Sequence, residues 1–395
     1  MAAIHAARAG GRVLLVERTA DGGRKILISG GGRCNVLPSA IDPRRFVTDS
    51  SPHTLRRLLL AWPFAAQREF FERDLGIPLA LEEETGKLFP ASNRARDVRD
   101  GLIDLAKRLG VQFRFGVVAR DLVAIDEGWR LELGAGERID ARAVILATGG
   151  LSVPNTGSDG IGLAIAERLG HLMNPTYPAL TPLLAEPPVH GALAGVSLTV
   201  GLTGRHGTLV TSARGGFLFT HRGYSGPSVL DLSHLATRSR LLGEPRPSIR
   251  VRWGDLDASA WDGLLRKQSG QQVTTPLRQY LPARLVDWLL DRVGVPRDRD
   301  VAQLSRAERK AVVELLAAYE LPWTADEGYK KGEVTGGGVD LSAIDPGTLE
   351  SRRCPGLYLC GEILDAFGPI GGHNFAWAWS TGRAAGLGAA GRSTR

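Results

Sequence analysis

The sequence predicts an α/β protein in which a parallel-sheet domain is interrupted by an insertion, and three observations carry that reading. The chain opens on a helix-favouring stretch that leads into an unbroken apolar strand ending in an acid. A second unbroken strand, Ala143 to Ala147, runs into Thr148-Gly149-Gly150, and a third, Leu357 to Cys360, runs into Gly361-Glu362. Between the second and third strands lies a region rich in proline and in apolar-polar alternation, which suits antiparallel strands instead.

Met1 to Ala9 is alanine-rich, Gly10-Gly11 supplies a helix stop, and Val13 to Val16 suits a buried parallel strand closed by Glu17. In a dinucleotide-binding unit an acid at the end of the second strand accepts hydrogen bonds from a ribose, about 20 residues after a G-x-G-x-x-G turn. Counting back that far from Glu17 runs past Met1, so the phosphate turn is expected to lie outside this chain. Gly10 and Gly11 stand where the helix ends and cannot form it. A signal peptide does not account for the start, because a basic leader is missing and His5 and Arg8 interrupt the apolar stretch.

"TADGGRKILISGGGRCNV" follows, and its glycine run lets backbone N–H groups approach an anion, with Arg24 and Lys25 adding charge. Residues 51 to 75 read as helical with a break at Pro63, and 94 to 109 as a helix with Val98, Leu102, Leu105 and Leu109 on one face. Short alternating strands then lead to Ala143–Ala147, whose small-residue end is where open α/β sheets bind ligands. From Pro178 the texture is antiparallel, with "SARGG" read as a hairpin turn and Gly223 to Pro227 as a second sharp turn. Residues 256 to 322 read as helical, with a capping box at Ser305 and Glu308 ahead of Val312, Leu315, Leu316 and Tyr319. "GEVTGGGVD" marks the return to the first domain, and a helix is expected from Phe375 onward. Its Gly-Gly-His-Asn entry puts backbone N–H groups at a helix start, which favours an anion or an electron-rich ring. Trp377 and Trp379 read as core, while His373 stands between a structural and a functional role.

The chain has 395 residues, with 49 Lys and Arg against 42 Asp and Glu, a net charge of +7. The basic residues are dispersed: Arg94, Arg96 and Arg99 alternate with Asp97 and Asp100, so a nucleic-acid partner is not expected from charge alone. Three cysteines, Cys34, Cys354 and Cys360, leave an odd thiol and no C-x-x-C spacing, which points to a reducing, cytoplasmic setting and to no metal site. No apolar run approaches the ~20 residues of a membrane span.

Five segments in order along nearly the whole chain resemble the HI0933-like/BaiN-like family of two-dinucleotide-binding-domain flavoproteins. They are "GRKILISGGGRCNV", "ILATGG", "FTHRGYSGPSVLDLS", "GEVTGGGVD" and "GLYLCGEILDAFGPIGGHNFAWAWSTGRAAG". The resemblance implies an α/β, Rossmann-like FAD-binding domain over residues 1–180 and 332–395, with its first strand and G-x-G-x-x-G turn missing here. It further implies a β-barrel-like insertion over 181–255 and a small helical subdomain over 256–331. By the same resemblance Glu17 holds the adenosine ribose, and Arg24, Lys25, Ser29, Gly30, Gly31, Gly32, Arg33, Cys34 and Asn35 line the flavin. Val118 would lie near the adenine, Thr148 and Gly149 would flank the cofactor, and Gly361 and Glu362 would sit by its ribityl or pyrophosphate part. Gly372, His373 and Asn374 would meet the isoalloxazine edge.

The missing turn has two accounts: a natural protein longer than this chain, or a relative that binds FAD weakly or not at all. The first is expected, since distal cofactor motifs would not persist without the strand between them. The expected activity is FAD-dependent oxidation or reduction of a small organic substrate, with NAD(P)H as electron donor. Lys25 and His373 are the candidates for polarising flavin or substrate, and Tyr224 for donating a proton. Two alternatives stay open: a flavin-dependent RNA-modifying enzyme, and a noncatalytic relative that has lost tight FAD binding.

Overall fold

The computed structural model describes residues 1–134, 136–266 and 270–393. They divide into two units, Met1–Pro178 with Glu333–Arg395, and Ala179–Gly332.

In the first unit the opening helix is Ala2–Arg8, and Gly10 at φ +87° turns the chain into the strand Leu14–Glu17. That strand pairs in parallel with Gln112–Phe115, and Val144–Leu146 pairs in parallel with Leu357–Leu359. The opening helix lies against the long C-terminal helix His373–Ser393 through small residues: a Cβ on Gly386 would stand 2.3 Å from the Ala2 carbonyl oxygen. Helix Ala95–Arg108 turns Val98, Leu102 and Leu105 into a core shared with Phe71 and Trp379. Trp377 belongs to a second core with Leu146, Leu357 and Leu359, so both tryptophans are packing residues.

The two apolar strands are less buried than their composition predicts. Leu14 is 37% exposed, and Val144 and Ile145 are half-buried. Among the described residues each pairs with one strand only.

The second unit is built on a seven-stranded sheet. Its order is Tyr319–Glu320, Ser248–Trp253, Ser197–His206, Leu209–Phe219, Gly223–Ser225, Leu183–Leu184 and Ala325–Asp326. The first and last strands in that order are joined by only Leu321–Thr324, a reach of at most about 18 Å, so the sheet curls until its edges nearly meet. Helix Pro227–Leu242 packs on the inner face, with buried residues on nearly every side, which explains why its sequence shows no single apolar stripe. Residues expected as separate β-rich and helical pieces share one core here: Phe217, Val251 and Trp253 pack with Trp261, Leu285, Val312 and Leu316. The capping box of Ser305 and Glu308 is present at the start of Arg306–Ala318.

Two turn assignments need correction. Ser212 to Gly216 lies inside the strand Leu209–Phe219, and the hairpin turns instead at Gly207-Thr208, with Gly207 at φ +56°. Cβ atoms on Gly215 and Gly216 would meet Pro227 at 3.6 and 3.4 Å, ordinary packing distances. Gly223–Ser225 is a short strand, and Gly226 at φ +97° swings the chain into the following helix.

Candidate functional site

Several of the motif segments in the first unit converge on one ion pair. Lys25 Nζ lies 2.5 Å from Glu362 Oε2, with the two side chains 29% and 18% exposed. Glu362 Oε1 accepts from the Thr335 backbone N–H at 3.0 Å. The Thr335 hydroxyl accepts from the N–H groups of Leu151 (2.8 Å) and Ser152 (3.2 Å) and donates to Ser152 Oγ at 3.2 Å. Gly150 makes this junction possible, because a Cβ there would stand 2.3 Å from Thr335 Oγ1 and 3.1 Å from Glu362 Oε1. Four distant stretches, around residues 25, 150, 335 and 362, are thereby pinned together.

The glycine segment presents an open surface beside this pair. Arg24–Ile28 is a short helix with no buried residue, and Ile28 is 53% exposed although it is apolar. Gly30, Gly31 and Gly32 follow at φ +55°, +68° and +85°, a left-handed run that only glycine adopts without strain. A Cβ on Gly31 would meet nothing within 4 Å, so the backbone there faces free space.

The polar side chains of the segment mostly turn to internal partners. Arg24 pairs with Asp21 at 3.0 Å, and Ser29 Oγ donates to the Ile26 carbonyl at 2.8 Å. Arg33 pairs with Glu82 at 3.0 Å while its guanidinium lies over the Phe89 ring at 4.0 Å. Cys34 is sealed in the core, and burial pushes its thiol up to about 12 against a weaker opposing hydrogen bond from Ser29. It is therefore no cofactor-facing side chain. Asn35, with its amide oriented to satisfy both ends, accepts from Gly372 N–H at 3.0 Å and donates to the Leu37 carbonyl at 3.1 Å, tying the glycine segment to the last helix. Of the two cations beside the run, Lys25 alone reaches a distant motif.

At the end of the first strand, Glu17 Oε1 accepts from Thr19 N–H (2.7 Å) and from its hydroxyl (2.6 Å). The Glu17 carbonyl accepts from Val117 N–H at 3.1 Å, which places Val118, 39% exposed, beside that strand end. The Thr148 hydroxyl points into the helix Ile161–Arg168, where Gly162 makes room, and it is buried with no hydrogen-bond partner among the described residues. Gly149 takes φ +73° next to Ser158. Both backbone groups of Gly361 are occupied, by Thr381 Oγ1 (3.0 Å) and by the Trp377 indole N–H (3.0 Å). Asn374 closes a ring with Gly368, accepting from its N–H at 2.8 Å and donating to its carbonyl at 2.9 Å.

His373 is buried edge-on to Phe46, with ring centroids 6.0 Å apart. Burial, with the Arg45 charge second, holds its pKa down at about 4, so the imidazole is neutral at pH 7. Tyr224 belongs to the second unit and is sealed there: its hydroxyl meets His190 Nδ1 at 2.7 Å, and His190 Nε2 meets the Tyr319 hydroxyl at 3.1 Å. Burial pushes the phenol's pKa up, and the side chain has no exposed surface, so the expectation of a proton donor gives way to a core hydrogen bond.

Two features carry no signal in the sequence. Thr335 stands inside "GEVTGGGVD", yet only the fold shows its hydroxyl receiving two backbone N–H groups. The second is a buried network in which Asp365 Oδ2 accepts from Ser50 Oγ (2.8 Å), Ser50 N–H (2.9 Å) and Asn174 Nδ2 (2.7 Å). Asn174 also donates to Asp340 Oδ2 at 3.0 Å. Burial raises the Asp365 carboxyl, whereas at Asp340 hydrogen bonds from Ser342, Asn174 and Ser50 outweigh burial and hold it down. No fixed spacing links these residues, so no motif announces them.

The first unit fits FAD on its own geometry: an open glycine backbone, an exposed apolar turn at Ile28 and, on Glu17, a second carboxylate oxygen without a partner among the described residues. Among the described residues no helix is long and apolar enough to cross a membrane, and no group of His, Cys, Asp and Glu is arranged to hold a metal.

The family model described as "HI0933-like protein Rossmann domain" matches residues 1–388. The chain is 33% identical to the ribosomal RNA dihydrouridine synthase of Escherichia coli (strain K12), over 95% of this chain and 91% of that protein. It is 32% identical to the Haemophilus influenzae protein of the same name, over 96% and 93%. It is 31% identical to the 3-dehydro-bile acid delta(4,6)-reductase of Clostridium scindens, over 99% and 96%. With a family match along nearly its whole length, the chain belongs to the HI0933-like family of FAD-dependent oxidoreductases.

Proposed function

We propose that this protein is an FAD-dependent reductase of a carbon–carbon double bond conjugated to a carbonyl, acting in the cytoplasm on uridine in ribosomal RNA with NAD(P)H as electron donor. The carrying observation is that relatives aligned over nearly their full lengths are named for different substrates with one bond type. Dihydrouridine is uridine whose ring double bond, conjugated to a carbonyl, has gained a hydride and a proton. A 3-keto delta(4,6) steroid carries the same kind of bond.

FAD, when bound, supplies the hydride. The residues of the first unit bind and orient it. Glu17 offers its free carboxylate oxygen to a ribose, and the left-handed run Gly30–Gly32 lets the ring system approach the backbone. Lys25, held by Glu362 and through it by Thr335, sets a fixed positive charge at the edge of the site, where it would stabilise negative charge on flavin or substrate. His373 is neutral, with one ring N–H that can donate and one ring nitrogen that can accept. Val118 supplies an apolar wall for an adenine.

The test begins with the flavin absorbance of the purified protein and its anaerobic bleaching by NADH or NADPH. Addition of a ribosomal RNA transcript should restore the colour, and nucleoside digests should show the two-hydrogen mass gain of dihydrouridine. A second reading, reduction of a small steroid-like enone, is favoured by the bile-acid relative. It replaces the first if such an enone restores the colour and RNA does not. A colourless protein overturns both.

A further inference from the structure

The second unit carries most of the chain's excess charge. Residues 179–332 hold 20 Lys and Arg against 15 Asp and Glu, so five of the net seven positive charges lie there. The three central strands show where part of that charge is displayed. Val200, Leu202, Ile249, Val251 and Trp253 face the core, and alternate residues such as Thr203, Arg205, Ser212, Arg214 and Arg250 are exposed on the other face.

The register sorts the outward residues into rows. Gly201 stands between Arg214 and Arg252, Thr203 between Ser212 and Arg250, and Arg205 between Val210 and Ser248. Successive rows lie about 6.6–6.8 Å apart, the rise of two strand residues. Each of these three rows carries at least one arginine, with glycine, serine, threonine or valine between, whereas the outward pairs Thr199–Gly216 and Ser197–Leu218 further along carry none.

Two acids reach this face. Asp255 pairs with Arg214, and Glu320 pairs with Arg250 at 3.1 Å. Arg205 and Arg252 have no carboxylate partner among the described residues. Arg252 lies flat on the sheet over Gly201, where a Cβ would be 3.3 Å from its Nε, and that Nε is buried with no hydrogen-bond partner among the described residues. A surface meant only for solubility needs neither an uncompensated guanidinium laid over a glycine nor an arginine in each of three successive rows.

We infer that this open face binds the sugar-phosphate backbone of RNA, an inference that rests on the RNA reading of the function given above. Arginines supply charge to phosphates, and serine and threonine hydroxyls supply hydrogen bonds to phosphate or 2′-OH. With no aromatic side chain to stack a base, the face is expected to be indifferent to sequence.

The experiment compares the flavin-loaded full chain with a variant carrying Arg205→Ser, Arg214→Ser, Arg250→Ser and Arg252→Ser. Binding of a fluorescent uridine-containing RNA is measured over a series of salt concentrations. The variant should bind about 10-fold or more weakly, with a salt slope reduced by about 0.7 for each phosphate that no longer meets an arginine. Should Arg252→Ser disturb folding, Arg205→Ser with Arg214→Ser, both exposed, carries the same test. Arg306→Ser with Lys310→Ser, elsewhere on this unit, should leave affinity unchanged; an equal fall there overturns the inference. So does an unchanged salt slope in the face variants while the wild type binds RNA, an outcome that leaves the RNA reading standing. A wild type that reduces a small enone but binds no RNA removes both. Equal weakening toward poly-glutamate marks a general anion surface and also overturns it.

Discussion

Replacing Lys25 by methionine keeps an unbranched side chain one atom shorter and removes the charge that Glu362 faces at 2.5 Å. An exposed ion pair contributes about 0–1 kcal/mol, whereas removing one partner of a buried pair costs about 3–5 kcal/mol. With side chains 29% and 18% exposed, this pair lies between those limits, so Lys25→Met is expected to cost about 1–3 kcal/mol. Glu362→Gln keeps an acceptor for Thr335 N–H and leaves a lysine that can turn to water, so its cost should be nearer about 1 kcal/mol. The double variant contains no stranded carboxylate and should be more stable than Lys25→Met, with a coupling energy of about 1–2 kcal/mol. Urea unfolding of the four proteins measures this, and titration with FAD measures whether affinity falls in step. If Lys25→Met unfolds at the wild-type midpoint and binds FAD as well as the wild type does, the pair is screened by solvent and does not organise the site.

Other outcomes follow from burial and from glycine geometry. Gly31→Ala meets open space and suffers only from its left-handed φ, about 1–2 kcal/mol, while Gly150→Ala drives a Cβ to 2.3 Å from Thr335 Oγ1 and should lose more stability and more flavin; equal losses in thermal melts would contradict this. Tyr224→Phe leaves His190 without its 2.7 Å partner and should cost about 1–3 kcal/mol with turnover per bound flavin unchanged; a selective fall in turnover would restore the proton-donor role. His190, His234 and His373 are held at about 4 and His5 at about 3, each chiefly by burial. Below their ordinary value of about 6.5 the unfolded chain takes up protons that the folded one refuses, so stability is complete above that pH and is lost on acidification toward 4. Each imidazole at about 4 should account for about 2 kcal/mol between pH 7 and pH 5, and His373→Asn should make the urea-midpoint profile correspondingly shallower; a flat wild-type profile would refute the burial argument.

Elements with a strong local signal were legible. The helix Ala95–Arg108, the Ser305 capping box and the return at Leu357–Leu359 follow from periodicity, cap chemistry and apolar runs. Ser212–Gly216 was not, because paired glycines signal a turn to local reasoning, whereas here continuous pairing with Ser197–His206 holds them in a strand. Side-chain direction was not legible either. Arg24, Arg33, Ser29 and Asn374 are residue types that suit a charged ligand, yet each finds a partner inside the protein. Spacing reports which residues are near a surface, and packing decides which way they turn.

The glycines sharpen the point, because the motifs that mark this family are largely made of them. At Gly31 an added Cβ would meet nothing, so what glycine supplies there is backbone freedom beside open space, which suits a ligand. At Gly336, Gly337 and Gly338 the added atom would stand 2.3 Å from the Tyr177 ring, 2.1 Å from the Pro175 carbonyl oxygen and 2.6 Å from the Ile363 carbonyl oxygen. "GEVTGGGVD" is therefore a packing motif around one junction residue, Thr335, whose hydroxyl and N–H join the "ATGG" turn to Glu362. Substituting Thr335 by valine preserves the shape and removes the hydroxyl, leaving the Leu151 and Ser152 N–H groups without their acceptor while Glu362 keeps its backbone donor. Loss of flavin affinity in Thr335→Val, with Lys25 and Glu362 both intact, would separate the positioning of the turn from the charge of the pair.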